Sequence, residues 1–100
     1  MRLDSIAVAI RSKNAGPCLI TLDIIFADAA GFERGVTALP RLRTYVAERY
    51  HRSPGEVRGF VHGPSRAIKI TIARERLSGS VGDSDVYGAQ QHAPLLGFEL

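Results

Sequence analysis

The sequence predicts an α+β fold: a small, mixed sheet of three or four strands with helices packed on one face. The 100 residues fit one domain, residues 1–100. A composition of 45% hydrophobic and 23% charged residues is typical of globular proteins. Apolar residues repeat with helical spacing in some segments and alternate in others. The single cysteine, Cys18, excludes an intrachain disulfide and a cysteine-based zinc site.

The first element is predicted to be a helix. Apolar residues near the start recur at helical spacing: Leu3, Ile6, Ala7 and Ile10. Asp4 is a suitable N-cap, so a short helix is expected over residues 4–11. Asparagine, glycine and proline all disfavour a helix, so residues 12–17 are predicted to form a turn.

Residues 19–26 have the strongest strand signal, because alternating apolar side chains define one face: Ile20, Leu22, Ile24 and Phe26. Residues 67–73 repeat the pattern, and residues 57–62 form a further candidate strand. Asp23 is costly in the middle of an apolar strand unless it has a partner. If the two strands are neighbours, Asp23 and Lys69 face each other and are expected to form an ion pair.

Helices are predicted between these strands. Asp28 caps one that ends near residue 38, and Pro40 breaks the chain or starts a third helix. The inward face of that third helix is Leu42, Val46 and Tyr50. Ser53 then caps a short turn that begins at Pro54. A right-handed crossover through these helices would make the strand at residues 19–26 parallel to one of the later strands.

Residues 74–94 show neither helical nor strand periodicity. Such a long irregular segment in a small domain is usually functional or disordered. We expect an ordered polar loop that faces a partner, with disorder as the alternative. The closing sequence PLLGFEL is predicted to dock as a final strand or clip, anchored by Leu95, Leu96 and Phe98.

The charge is moderately basic, with 13 basic and 10 acidic residues. The densest stretch lies near the third helix: Arg41, Arg43, Arg49 and Arg52. Nucleic-acid binding needs a more continuous basic footprint, so it is a minor alternative. Arginine also prefers carboxylates and phosphates, which fits an anionic metabolite. No apolar stretch approaches the length of about 20 residues that spans a bilayer, and the start does not resemble a signal peptide, so a cytoplasmic protein without membrane contact is expected.

Two polar clusters are candidate sites. The first contains Arg11, Lys13 and Asn14, whose guanidinium, ammonium and amide groups can hold an anion. The ordinary alternative is a helix C-terminus followed by a turn. The second cluster spans ten positions: Asp83, Asp85, Tyr87, Gln90, Gln91 and His92. Here His92 is a candidate general acid or base, although a lone loop histidine is often only solvated.

The second cluster does not predict a metal site. Oxygen-rich metal loops usually need more ligands than the two carboxylates of Asp83 and Asp85 supply. No cofactor can be identified from these residues, and the glycine spacing fits neither a phosphate loop nor a dinucleotide-binding motif.

Several strings resemble a known family. They are RSKNAGP at residues 11–17, TLDIIF at residues 21–26, AIKIT in the predicted third strand, and GDSDVYGAQQHAPLL at residues 82–96. Together they resemble a small family of domains of unknown function, encoded beside or fused to acyclic terpene utilisation (AtuA-like) proteins. The resemblance covers nearly the whole chain. It implies an AtuA-like partner and a setting in acyl-CoA or branched carboxylic acid catabolism.

The combined prediction is a small subunit that docks on the larger AtuA-like protein and completes a shared site. The substrate would be an anionic acyl compound or carboxylic acid, and the chemistry that of a lyase or hydratase. The first cluster, with Gln90 and Gln91, would bind the substrate. Asp83, Asp85, Tyr87 and His92 would transfer protons or orient it. The alternative is a non-catalytic structural or regulatory module that forms hetero- or homo-oligomers.

Overall fold

A computed structural model describes residues 2–15, 19–73 and 95–100. Its elements in chain order are helix α1 (Leu3–Ile6), strands β1 (Ala7–Asn14) and β2 (Leu19–Phe26), helix α2 (Ala29–Arg49), and strands β3 (Arg58–His62) and β4 (Ala67–Ala73). Short 3-10 turns at Pro54–Glu56 and Gly63–Ser65 flank β3. The α+β class is therefore confirmed. In the described ranges, no helix is both long and apolar enough to cross a bilayer.

The four strands form one sheet in the order β1-β2-β4-β3, and all three neighbouring pairs are antiparallel. The prediction of a mixed sheet, with parallel as well as antiparallel neighbours, is therefore wrong for the described strands. The connections between β1 and β2 and between β3 and β4 are too short for the crossover that adjacent parallel strands require. The connection through α2 does make β2 and β3 run in the same direction, because both are antiparallel to β4. However, β4 lies between them, so they are not neighbours in the sheet.

The predicted first helix is largely wrong. Only residues Leu3–Ile6 are helical, and residues Ala7–Asn14, including part of the predicted turn, form β1. A register irregularity between Ala7 and Ala9 marks the change from helical to extended backbone. Apolar spacing that suits a helix also suits one helical turn followed by a strand, and pairing with β2 decides between them.

The two predicted helices are one continuous helix, α2, with Pro40 inside it. Asp28 caps this helix as predicted, with its Oδ1 accepting a hydrogen bond from the Gly31 amide at 2.7 Å. A proline within a helix removes one backbone hydrogen bond. Burial of Ala38 before Pro40 and of Leu42 and Val46 after it offsets this cost.

The hydrophobic core lies between α2 and one face of the sheet. The alternation predicted for β2 and β4 is confirmed, because the residues on this face are buried: Ile20, Leu22, Ile24, Phe26, Ile68, Ile70 and Ile72. The C-terminal anchors Leu95 and Phe98 are buried as predicted, and Leu96 is half-buried. Tyr50, expected to face inward, is half-buried just beyond α2, and burial raises its pKa above the ordinary value.

In the turn before β3, Ser53 interacts with Glu56 as a hydrogen-bond donor, whereas an N-cap serine is expected to accept with its hydroxyl oxygen. The Ser53 backbone amide and hydroxyl both donate to Glu56 Oε1, at 2.9 and 2.7 Å. These hydrogen bonds favour the charged carboxylate, so they hold the pKa of Glu56 below its ordinary value, with a smaller contribution from Arg52.

We expect Ser53→Ala to raise the Glu56 pKa towards its ordinary value, because one of the two donors is lost. Since the folded-state pKa is depressed, the stabilisation is present at pH above the unfolded-state pKa and is lost as pH falls through the folded-state pKa. An NMR titration of the Glu56 carboxyl carbon measures this shift. Ser5→Ala, whose hydroxyl contacts the Arg2 carbonyl instead, is the control and should leave the titration unchanged. An unchanged Glu56 titration in Ser53→Ala would contradict this assignment.

Candidate functional site

The sheet has a second face, on the side away from α2. Side chains alternate along each strand, and the antiparallel registers determine which residues share this face. We call it the polar face and define it by these residues: Ala9, Arg11, Lys13, Leu19, Thr21, Asp23, Ile25, Arg58, Phe60, His62, Ala67, Lys69, Thr71 and Ala73.

Basic side chains concentrate on the polar face in two adjacent cross-strand rows. One row runs Arg11, Asp23, Lys69 and Phe60 across the four strands, and the next runs Lys13, Thr21, Thr71 and Arg58. The four basic residues are exposed, whereas Asp23 is the one acidic residue in the rows. This excess of positive charge produces a field that attracts anions.

Asp23 is the unusual member of the group. Its side chain is only 4% exposed, and Oδ2 lies 3.7 Å from Nε of Arg11. Among the described residues Oδ1 has no hydrogen-bond partner, although it is buried. A buried carboxylate oxygen without a donor costs folding free energy, so the placement of Asp23 on this face calls for an explanation.

The structure gives Asp23 a contact that the sequence did not indicate, with Arg11. Asp23 and Lys69 are directly opposite in the register of β2 and β4, as expected for neighbouring strands. Within the described part of the chain, however, the ion contact of Asp23 is with Arg11 on β1 and not with Lys69. The strand assignment of residues 7–14 explains the difference, since it places Arg11 directly opposite Asp23 on its other side.

The first polar cluster is divided by the same strand. Arg11 and Lys13 share the polar face, whereas Asn14 alternates to the opposite face, together with the buried Ser12. The structure therefore brings two of the three predicted anion-binding residues together. It adds Arg58 and Lys69, which sequence spacing did not indicate, because only the long-range strand register places them beside β1 and β2.

The second polar cluster lies outside the described residues: Asp83, Asp85, Tyr87, Gln90, Gln91 and His92. Cys18 also falls outside them. In the ranges that are described, no three histidine, cysteine, aspartate or glutamate side chains come close enough to hold a metal ion.

A cavity of about 410 Å³ lies at one end of the polar face. Its described lining includes Leu19 at the start of β2, Ala73 at the end of β4, and Arg58 and Thr71 from the second cross-strand row. A volume of this size is within the range of small-molecule sites. The Arg58 guanidinium suits an anionic group, but the Glu56 carboxylate also lines this cavity, so the charge of its walls does not by itself select an anion.

The fold and this face define a class: a small α+β domain whose antiparallel sheet has one face covered by a helix and one basic face. The chain belongs to the DUF4387 family, a domain of unknown function, whose family model matches residues 3–99. No curated protein and no solved structure matches the chain.

Proposed function

We propose that the chain is a small subunit that docks on a larger AtuA-like protein and contributes its polar face to a shared site. The substrate is an anionic acyl compound or carboxylic acid, and the reaction is that of a lyase or hydratase. The observation that supports this most is that four exposed basic side chains share one face of the sheet with a single buried carboxylate. The sequence resemblance supplies the partner.

Arg11 is the principal anion ligand in this proposal. Its side chain is 62% exposed, and its contact with Asp23 uses Nε. The two terminal guanidinium nitrogens can therefore still bind a carboxylate in a bidentate manner. Lys13 is two residues further along the same strand face and adds a second positive charge.

The proton-transfer part of the proposal rests on sequence alone. It assigns proton transfer or substrate orientation to Asp83, Asp85, Tyr87 or His92, and substrate contacts to Gln90 and Gln91. Their chemistry is suitable, because carboxylate, phenol, imidazole and amide groups donate and accept protons or hydrogen bonds.

A non-catalytic interaction module is the second candidate. In the described sheet β1 and β3 are the edge strands, and the exposed apolar side chains that they carry favour this candidate. Val8 is 69% exposed, Phe60 54% and Val61 47%. Unpaired strand edges with such residues are suited to strand addition by another protein or a second copy.

Nucleic-acid binding is not favoured, because the arginines of its densest stretch contact the protein itself. Arg43 donates to the Val57 carbonyl at 2.9 and 3.1 Å, and Arg52 donates to the Ala73 carbonyl at 3.0 Å. The guanidinium of Arg41 lies over the Phe98 ring, and that of Arg49 over the Tyr45 ring.

Removing either principal cation is expected to weaken anion binding. The full chain is co-expressed with the AtuA-like protein encoded nearest to it, the complex is verified by native mass spectrometry, and isovalerate binding is measured by calorimetry. Arg11→Gln or Lys13→Gln should weaken binding roughly tenfold to a hundredfold, because each removes one charge-assisted hydrogen bond to the carboxylate. Arg34→Gln, an exposed arginine on α2, is the matched control and should bind like the wild type.

Three outcomes would contradict the proposal in different ways. A complex whose Arg11 and Lys13 variants bind isovalerate normally would remove the assigned roles. Isovalerate binding by this chain alone, without complex formation, would remove the shared site but leave the anion-binding face. A complex that binds no carboxylate would favour the interaction module.

A further inference from the structure

Asp23 differs from the basic residues around it because a carboxylate only accepts hydrogen bonds. Its Oδ1 is buried and has no hydrogen-bond donor within the described ranges, although Arg11 and Lys69 flank it in the same cross-strand row. Lys69 is exposed, and the Arg11 contact at 3.7 Å is longer than a hydrogen bond. Within the part of the chain that the structure describes, an unsatisfied acceptor thus lies beside the proposed anion ligand Arg11.

We infer that Asp23 Oδ1 accepts a hydrogen bond from the ligand, and that the polar face therefore prefers a hydroxy acid to the corresponding unsubstituted acid. This inference rests on the proposed function. The ligand carboxylate binds to Arg11 and draws the guanidinium away from its long contact with Asp23. The carboxylate of Asp23, which loses this contact, then accepts a hydrogen bond at Oδ1 from the ligand hydroxyl.

The chemistry of the two groups requires both parts of the ligand. An anion alone would satisfy Arg11 but leave a bare carboxylate facing another negative charge. A donor alone would satisfy Asp23 but leave the surrounding basic residues without a counter-charge. A hydroxy acid supplies an anion and a neutral donor a few bonds apart, and it is also the type of product that a hydratase forms from an unsaturated acid.

A purely structural Asp23 makes a different prediction about stability. Replacing a buried, incompletely satisfied charge with an apolar side chain of similar size is often neutral or stabilising. Arg11 remains 62% exposed and solvated when its partner is removed. A ligand-binding Asp23 is therefore expected to be replaceable by leucine without loss of stability, at the expense of binding selectivity.

The test compares 3-hydroxyisovalerate with isovalerate, which differ by one hydroxyl group, on the complex of the full chain with the AtuA-like protein. The wild type should bind the hydroxy acid about tenfold more tightly, the typical effect of a hydrogen bond to a charged group. Asp23→Leu should lose this preference, bind isovalerate at least as well as the wild type, and melt at the same temperature or higher. Thr37→Val, which removes an exposed hydroxyl on α2 away from the polar face, is the control and should keep the preference.

Asp23→Asn provides a second test if the leucine variant fails to fold. A neutral acceptor forms a weaker hydrogen bond than a carboxylate, so the preference should fall by roughly half on a logarithmic scale. Equal binding of both acids by the wild type would overturn the role of Asp23 while leaving the anion site intact. An undiminished preference in both Asp23 variants would do the same. Binding of neither acid would instead overturn the proposed function, and this inference with it.

Discussion

Gly35→Ala is expected to lower the free energy of unfolding by about 2 kcal/mol, the net of ~3 kcal/mol for overpacking and ~1 kcal/mol gained in helix propensity. Gly35 lies in α2 where the helix passes over the Phe26 ring of β2. An added Cβ would overlap the Phe26 Cζ and lie 2.9 Å from Cε2. The ring has little room to move, since Phe26 is buried and packs edge-on against Phe32.

Urea denaturation followed by circular dichroism measures the change. Gly55→Ala is the control, because among the described residues no atom beyond Gly55 and its chain neighbours lies within 4 Å of its Cβ position, and its effect should be within about 0.5 kcal/mol of zero. Adding Phe26→Leu to Gly35→Ala should recover part of the loss, so the two substitutions should not be additive. A Gly35→Ala protein as stable as the wild type would show that α2 can move away from the sheet.

The close approach at Gly35 also illustrates what sequence patterns can and cannot predict. Strands β2 and β4 were predicted with their correct bounds, because alternating isoleucine and leucine residues define one continuous apolar face on each strand. Strand β1 was not predicted. The apolar residues of the helical turn at Leu3–Ile6 and of the start of β1, where the register is irregular, together repeat with helical spacing. The continuity of α2 through Pro40 depends on tertiary burial, which local propensity does not contain.

The candidate site was likewise predicted only in part from the sequence. Arg11 and Lys13 were recognised from their chemistry, but their separation from Asn14 follows from the strand that the spacing concealed. Arg58 and Lys69 join the site through hydrogen-bonded registers between residues far apart in the sequence. The cost of Asp23 was predicted from its place in an apolar strand, whereas its contact with Arg11 required knowledge that β1 is the edge neighbour.

Leu95→Ala is expected to lower the free energy of unfolding by about 3 kcal/mol, the usual range for a fully buried leucine being ~2–5 kcal/mol. Leu95 is fully buried in the core cluster that also contains Leu3. Three residues later, the Phe98 carbonyl accepts a hydrogen bond from the Leu3 amide at 2.8 Å. The Phe98 ring packs edge-on against the Tyr45 ring, with 5.0 Å between the ring centroids. The C-terminus is thus fixed to both helices.

This attachment matters for the proposed function because Leu95, with Ala73, flanks residues 74–94, which contain the second polar cluster. The preceding residue, Ala73, pairs with Leu19 at one end of β2, whereas Leu95 returns to the core beside α1, near the other end of that strand. The eight residues of β2 span about 26 Å at a strand rise of ~3.3 Å. The described residues on either side of this segment, Ala73 and Leu95, therefore lie towards opposite ends of the sheet.

Leu96→Ala, the same substitution one residue further along at a half-buried position, is the matched control and should cost about 1 kcal/mol or less. Denaturation measures stability, and native mass spectrometry with the AtuA-like protein measures assembly. At temperatures where Leu95→Ala remains folded, we expect its complex to be weakened more than that of Leu96→Ala, because the C-terminal end of the segment is no longer held. Equal stability of the two variants would show that Leu95 does not anchor the C-terminus. Normal stability loss with undiminished assembly would show that the attachment supports the fold without positioning the segment for the partner.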